Sequence, residues 1–215
     1  MYQLAVFDID GTLIDTERTS VLSLMQTVEE LTGRKISQEY AREFYGIPSA
    51  SASGMFGYHD AGAFEDRWEQ NFIKLHHLVA PFPGVGQMLS RVKTAGLRTG
   101  LVTSRNRMEF DFDKHLAALL PSIDAHVCAE DAPFHKPHPA PLLECIRRVS
   151  ESAGRTFAAD ECIYLGDTMS DFLCARDAGC DFALADWRLR GWQDIPAKYR
   201  FTCAEEIFEI LGIEK

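Results

Sequence analysis

The stretch that decides the fold is AVFDIDGTLIDTE, residues 5–17. An apolar run ends on Asp8, a second acid follows at Asp10, the chain turns on Gly11-Thr12, and a third acid stands at Asp15. A short apolar run closed by a glycine turn reads as a buried strand. Like charges this close repel each other and are costly to desolvate. A purely structural strand end has no reason to accept them, so compensating positive charge is expected at the same place.

Outward from this stretch, further strand-like runs lie at 98–103, 124–129, 162–167 and 181–185. Helical patterns alternate with them, which predicts a parallel α/β sheet. Val85, Met88, Leu89, Val92 and Ala95 recur at helical spacing and stop at Gly96. Leu142, Leu143, Ile146 and Val149 form a second stripe, and a third helix follows Asp167 and ends at Ala178-Gly179. Residues 17–80 break the alternation. Val21, Leu24, Met25, Val28 and Leu31 make a helical stripe stopped by Gly33, a second helix is expected near 61–78, and no strand is read between them. Pro81 and Pro83 mark the return to sheet-type organisation. The expected organisation is therefore an α/β core over 1–16 and 81–215, with an all-helical cap over 17–80 inserted after the first strand.

The chain has 215 residues, and its 46% hydrophobic and 25% charged content is ordinary for a globular protein. No apolar run approaches the ~18 residues of a membrane span, and the start MYQLAVFDID lacks the basic and small-residue features of a signal peptide. A soluble cytoplasmic protein without membrane contact is expected, as monomer or homodimer. Cys128, Cys145, Cys162, Cys174, Cys180 and Cys203 show no CxxC spacing, and most sit in apolar stretches; free thiols are expected. A net charge of −10 with no basic stripe argues against a nucleic-acid partner.

In an open parallel sheet, ligands bind beyond the carboxyl ends of the strands, so other strand ends should carry matching groups. One run ends in Thr103-Ser104, where a hydroxyl and loop amides can meet a phosphate oxygen or merely start a loop. FHKPHPAP holds Lys136 between prolines that stiffen the backbone; there it can balance a carboxylate and bind phosphate, or simply be solvated. CIYLGDTMSD repeats the opening logic, with Asp167 and Asp171 at a helix start, where capping is the structural alternative. Asp8, Asp10, Asp167 and Asp171 are expected to converge opposite Lys136, with Asp8 and Asp10 pointing the same way by strand alternation. Oxygen-only donors suit a hard cation, most simply Mg²⁺. A carboxylate there can attack phosphorus and form an aspartyl-phosphate. A second acid two residues on can protonate the leaving oxygen and later deprotonate water.

DIDGT with the following LIDT, the Thr103 strand end, the isolated Lys-Pro and GDTxxD together resemble the four signature motifs of the haloacid dehalogenase superfamily of phosphatases, in order and approximate spacing. The opening motif is specific; the other three are specific in combination. The resemblance implies a Rossmann-like core with a helical cap, and places the chain near the phosphoglycolate-phosphatase and β-phosphoglucomutase group. It implies Asp8 as nucleophile and Asp10 as general acid and base. It further implies Mg²⁺ held by Asp8, the Asp10 carbonyl and Asp167, with Asp171 acting one step removed or through water. Thr103 and Lys136 would hold phosphoryl oxygens, helped by loop amides near Gly11 and Ser104. The implied reaction is hydrolysis of a small phosphorylated metabolite, with a phosphomutase as the alternative and a non-catalytic binding module as a further rival. The chain departs from the family pattern at SRNR after Thr103 and at ADWRLRGW, residues 185–192.

Arg105 is expected either to touch an anionic substrate tail or to face solvent. Tyr45, Gly46, Met55, Phe56 and Tyr58 offer a specificity pocket or helix packing. His76, His77, His135 and His138 lack metal spacing with any cysteine. Trp187 and Trp192, with Arg188 and Arg190 between them, offer a contact surface or, in the preferred reading, cover the sheet edge. Asp15 is expected to cap the helix that starts near Glu17.

Overall fold

The computed structural model describes residues 2–47, 49–189 and 194–214, with Ala50 described by its backbone alone. Its strands are β1 (Leu4–Phe7), β2 (Ile14–Asp15), β3 (Ala80–Pro81), β4 (Arg98–Val102), β5 (Ala125–Val127), β6 (Cys162–Gly166), β7 (Asp181–Ala185) and β8 (Tyr199–Phe201). Its α-helices are α1 (Glu17–Thr32), α2 (Gln38–Arg42), α3 (Ser49–Ala52), α4 (Ala61–Leu75), α5 (Val85–Thr94), α6 (Arg107–Phe112), α7 (Lys114–Leu119), α8 (Ala140–Ala153), α9 (Met169–Ala178) and α10 (Ile207–Leu211). The chain divides into two compact units, Met1–Ile14 with Pro81–Lys215, and Asp15–Ala80. The short strands β2 and β3 pair with each other where the chain passes between them.

In the first unit six strands form one sheet in the order β5-β4-β1-β6-β7-β8, and every neighbouring pair is parallel. Leu4 and Val6 join Cys162, Tyr164, Phe182, Leu184 and the α8 residues Leu142, Cys145 and Val149 in one buried cluster. The alternate residues Ala5, Phe7, Ile163 and Leu165 point to the opposite face and are buried too. Both faces are thus covered, as a parallel sheet requires; α5 packs on β4 and α10 on α5. Phe7 is in register with both Leu101 and Leu165. Asp8, Thr103 and Asp167 therefore leave three adjacent strands within one residue of the same level.

Two features of this unit differ from the expectation. The first strand stops at Phe7 rather than continuing through Asp8 and Asp10 as strand alternation requires, because the Ile9 carbonyl collects the amides of Thr12 at 3.3 Å, Leu13 at 2.9 Å and Ile14 at 2.9 Å and curls the chain into a turn. The edge strand β8 and the short helices α6 and α7 were not anticipated; β8 has three residues with an exposed arginine in the middle, too short for a periodic signal.

The second unit has its own core of Val21, Leu24, Val28, Ala41, Phe44, Ala52, Phe56 and Phe64, with α1 packed on α4. Phe56 is a core residue and Tyr58 packs beside it, whereas Met55 is exposed. Tyr45 places its hydroxyl 3.4 Å from that of Thr16. Buried Glu17 accepts from Arg42 Nε at 2.7 Å. Asp15 does not cap α1: the N-cap is Thr16, without a side-chain cap bond, and Asp15 belongs to β2. Extended backbone through Ile14–Asp15 sets the helix one residue further on. No helix among the described residues is long and apolar enough to cross a membrane. All six cysteines are free, with only Cys203 exposed.

Candidate active site

Where β1 and β6 end, two aspartates are drawn onto one lysine. Lys136 Nζ donates to Asp8 Oδ1 at 2.6 Å and to Asp171 Oδ1 at 2.7 Å. The Tyr164 hydroxyl donates to the same Asp171 oxygen at 3.0 Å and accepts from Lys136 at 3.3 Å. The other oxygen of Asp171 accepts from the Thr168 hydroxyl at 2.6 Å and amide at 3.1 Å. Asp171 N donates back to Thr168 Oγ1 at 3.2 Å, which makes a capping box at the start of α9. Asp171 therefore caps its helix and faces the site at once.

Burial decides the electrostatics here. It pushes the Asp8 carboxyl up to about 7; Lys136 pulls against this, while Asp171 and Asp10 add to the rise. For Asp171 burial also acts upward, yet Lys136, Thr168 and Tyr164 hold the carboxyl below its ordinary value. Burial works against the Lys136 charge, but Asp171 and Asp8 outweigh it and hold the ammonium well above its usual range. Asp167 is buried beside them. Asp8, Asp167 and Asp171 each offer a carboxylate oxygen within 4.8 Å of the others, an all-oxygen set able to hold a hard cation.

Gly11 shapes this pocket by having no side chain. Its φ is +83°, and a Cβ there would stand 2.0 Å from Asp167 Oδ2. Its amide donates to the Ile14 carbonyl at 2.9 Å, so the turn itself uses this amide. The same turn is fastened by Trp187, whose Nε1 donates to the Thr12 carbonyl at 2.7 Å. Arg190 and Trp192, read with Trp187 as covering the sheet edge, lie outside the described residues.

Asp10 is not the fourth member of the lysine cluster. Its carboxylate is gripped by Arg105, with Nε 2.8 Å from Oδ2 and Nη2 2.8 Å from Oδ1. The third guanidinium nitrogen, Nη1, donates to Asp113 Oδ2 at 2.8 Å. The acids diverge because the strand ends before Asp8, so alternation no longer aligns Asp8 with Asp10, and because each meets a different cation. Arg105 thus does not face solvent: its side chain is 8% exposed, and each of its three nitrogens donates to an aspartate oxygen. Its amide donates to Thr103 Oγ1 at 3.1 Å, which places the buried Thr103 hydroxyl at the head of this loop, whereas Ser104 is exposed.

Sequence reasoning missed Tyr164, Thr168 and Asp113. Thr168 carried a signal, since Thr followed three residues later by Asp is a capping-box pattern. Asp113 carried another, an acid before a short helical stripe. Tyr164 carried none: it reads as one more apolar strand residue.

Residues 5–185 match the haloacid dehalogenase-like hydrolase family, and the chain belongs to it. It is similar to a protein of Caldanaerobacter subterraneus subsp. tengcongensis assigned as the pyrophosphatase PpaX, 27% identical over 98% of this chain and 93% of that one. Among solved structures it is similar to one from Lactobacillus plantarum assigned as a phosphoglycolate phosphatase, with a TM-score of 0.85 at 25% identity over 98% of this chain and 99% of that one. A β-phosphoglucomutase from Clostridium difficile shares the fold, with a TM-score of 0.79 at 16% identity over 99% of this chain and 96% of that one.

Proposed function

We propose that this protein is a phosphatase that hydrolyses a small phosphorylated metabolite through an aspartyl-phosphate at Asp8, with Mg²⁺ held by Asp8, Asp167 and Asp171. The observation that carries the reading is the buried acidic triad, its oxygens within 4.8 Å of one another, with Lys136 bridging two of its members. One ammonium cannot neutralise three carboxylates, and the space Gly11 leaves beside Asp167 keeps that oxygen clear of backbone substituents. These residues fit a hard divalent cation. When bound, Mg²⁺ would offset the acids' repulsion and neutralise charge on the phosphoryl oxygens.

The chain's own residues supply the rest. Asp8 attacks phosphorus while Lys136, 2.6 Å from it, holds its orientation and neutralises a phosphoryl oxygen. The bond from phosphorus to the leaving oxygen breaks, its electron pair stays on that oxygen, and Asp10 supplies the proton. In the second half Asp10, now a carboxylate, takes a proton from a water whose oxygen attacks phosphorus. The bond to Asp8 breaks, inorganic phosphate leaves and the Asp8 carboxylate returns. Thr103 supports the phosphoryl end from the neighbouring strand.

The relatives' assignments make inorganic pyrophosphate and phosphoglycolate the first substrates to test. Phosphate release should depend on Mg²⁺, stop in EDTA, and fall by about 10⁴-fold or more in Asp8→Asn. Mass spectrometry of quenched enzyme should find one phosphoryl group on the peptide carrying Asp8. Undiminished hydrolysis by Asp8→Asn sinks the mechanism, and turnover of a sugar phosphate without phosphate release would instead make the protein a mutase.

A further inference from the structure

We propose that Arg105 is a positioning residue for Asp10, buttressed by Asp113, and that it sets the direction from which Asp10 exchanges its proton; this rests on the reading of Asp10 as the acid and base. The guanidinium meets Asp10 side-on through two nitrogens at 2.8 Å each, a fork that an ammonium cannot reproduce. Each carboxylate oxygen has two acceptor positions. The fork takes one on each oxygen, so the positions left for a proton are turned away from Arg105.

The fork itself is fixed on every side. The Arg105 amide donates to Thr103 Oγ1 at 3.1 Å, and its carbonyl accepts from Ala129 N at 2.9 Å. Its remaining terminal nitrogen is held by Asp113, whose side chain is fully buried. Asp113 in turn is anchored because its Oδ1 accepts the amides of His115 at 2.9 Å and Leu116 at 3.2 Å as the N-cap of α7. The side chain of Asp10 is 34% exposed and that of Arg105 8%. What faces outward is the acid, and what faces inward is the clamp that aims it. A chain of three residues, from the α7 N-terminus to the end of β1, thus gives Asp10 one orientation.

The test uses ring-substituted phenyl phosphates whose leaving oxygens range from good to poor, with Mg²⁺ present. A good leaving group needs no proton, so kcat/KM for it should change less than about threefold in Arg105→Lys. For the poorest leaving group the loss should be on the order of 10²-fold, the usual worth of general acid catalysis. For the good leaving group kcat should fall together with KM, because attack of water still requires Asp10. Asp113→Asn should show the same trend at smaller amplitude, and it carries the test if Arg105→Lys does not fold by thermal unfolding. Adding Arg105→Lys to Asp10→Asn should cost nothing further. A uniform loss across the series, no loss in a folded variant, or losses that multiply with Asp10→Asn would each overturn the proposal. Full activity of Asp10→Asn on the poorest leaving group would overturn the underlying reading instead.

Discussion

Two cations at one sheet edge solve the same problem in different ways. Lys136 joins Asp8, from the end of β1, to Asp171 in the first turn of α9. Arg105 joins Asp10, two residues further along, to Asp113 at the N-terminus of α7. In each case an acid beyond the strand end is tied through a cation to an acid that a helix start already holds in place. The Lys136 arrangement is buried throughout and has a third carboxylate beside it, so positive charge falls short there. The Arg105 arrangement sets one planar fork against two carboxylates and leaves Asp10 partly open. A point charge suits the place where charge must be shared with a ligand, and a rigid fork suits the place where a side chain must be aimed.

The strongest way to break this contrast is to remove each cation in turn. Lys136→Met leaves buried acids uncompensated, and urea unfolding in EDTA should show a loss of about 3–5 kcal/mol. Mg²⁺ should restore part of it, because a divalent cation compensates the same oxygens. Arg105→Met should lose less, since Asp10 can turn towards water and buried Asp113 keeps the amides of His115 and Leu116; an equal or larger loss would abolish the asymmetry.

A smaller effect sharpens the role of the turn. Gly11→Ala combines a φ of +83° with a contact of 2.0 Å to Asp167, and should cost about 1–3 kcal/mol. The rise in Tm that Mg²⁺ gives the wild type should shrink at the same time. An alanine variant with an unchanged Mg²⁺ response would show that Asp167 is not held by that space.

The smallest effect concerns the helix anchors. Thr168→Ala removes the capping box of α9 and should cost about 1 kcal/mol in chemical unfolding. Asp113→Ala should cost more, because it also strips Arg105 of a buried partner. If the order is reversed, the two anchors do not play the parallel parts assigned to them.

Much of the fold was legible because its signals are local. The run LAVF, the helical stripe through Met88 and Val92, and Gly33 or Gly179 after a helix each act within a few residues. The edge strand β8 was not legible, since three residues cannot display a period and its pairing with β7 is non-local. At the site, Asp8, Lys136, Asp167 and Asp171 could be singled out as acids and a cation at strand ends, and the structure brings them together. Arg105 could be singled out but not placed: nothing in SRNR distinguishes an arginine in solvent from one clamped between two aspartates.

The sequence by itself determined a parallel sheet, its longer helices, and the edge at which the acids gather, because periodicity and strand-end position are written in neighbouring residues. Only the tertiary structure decided which cation each acid receives. Lys136 meets Asp8 across 128 residues of chain and Arg105 meets Asp10 across 95. Those partnerships depend on strand register and on where β1 stops, and two like acids one residue apart offer a linear reading no physical ground for sending them to different partners.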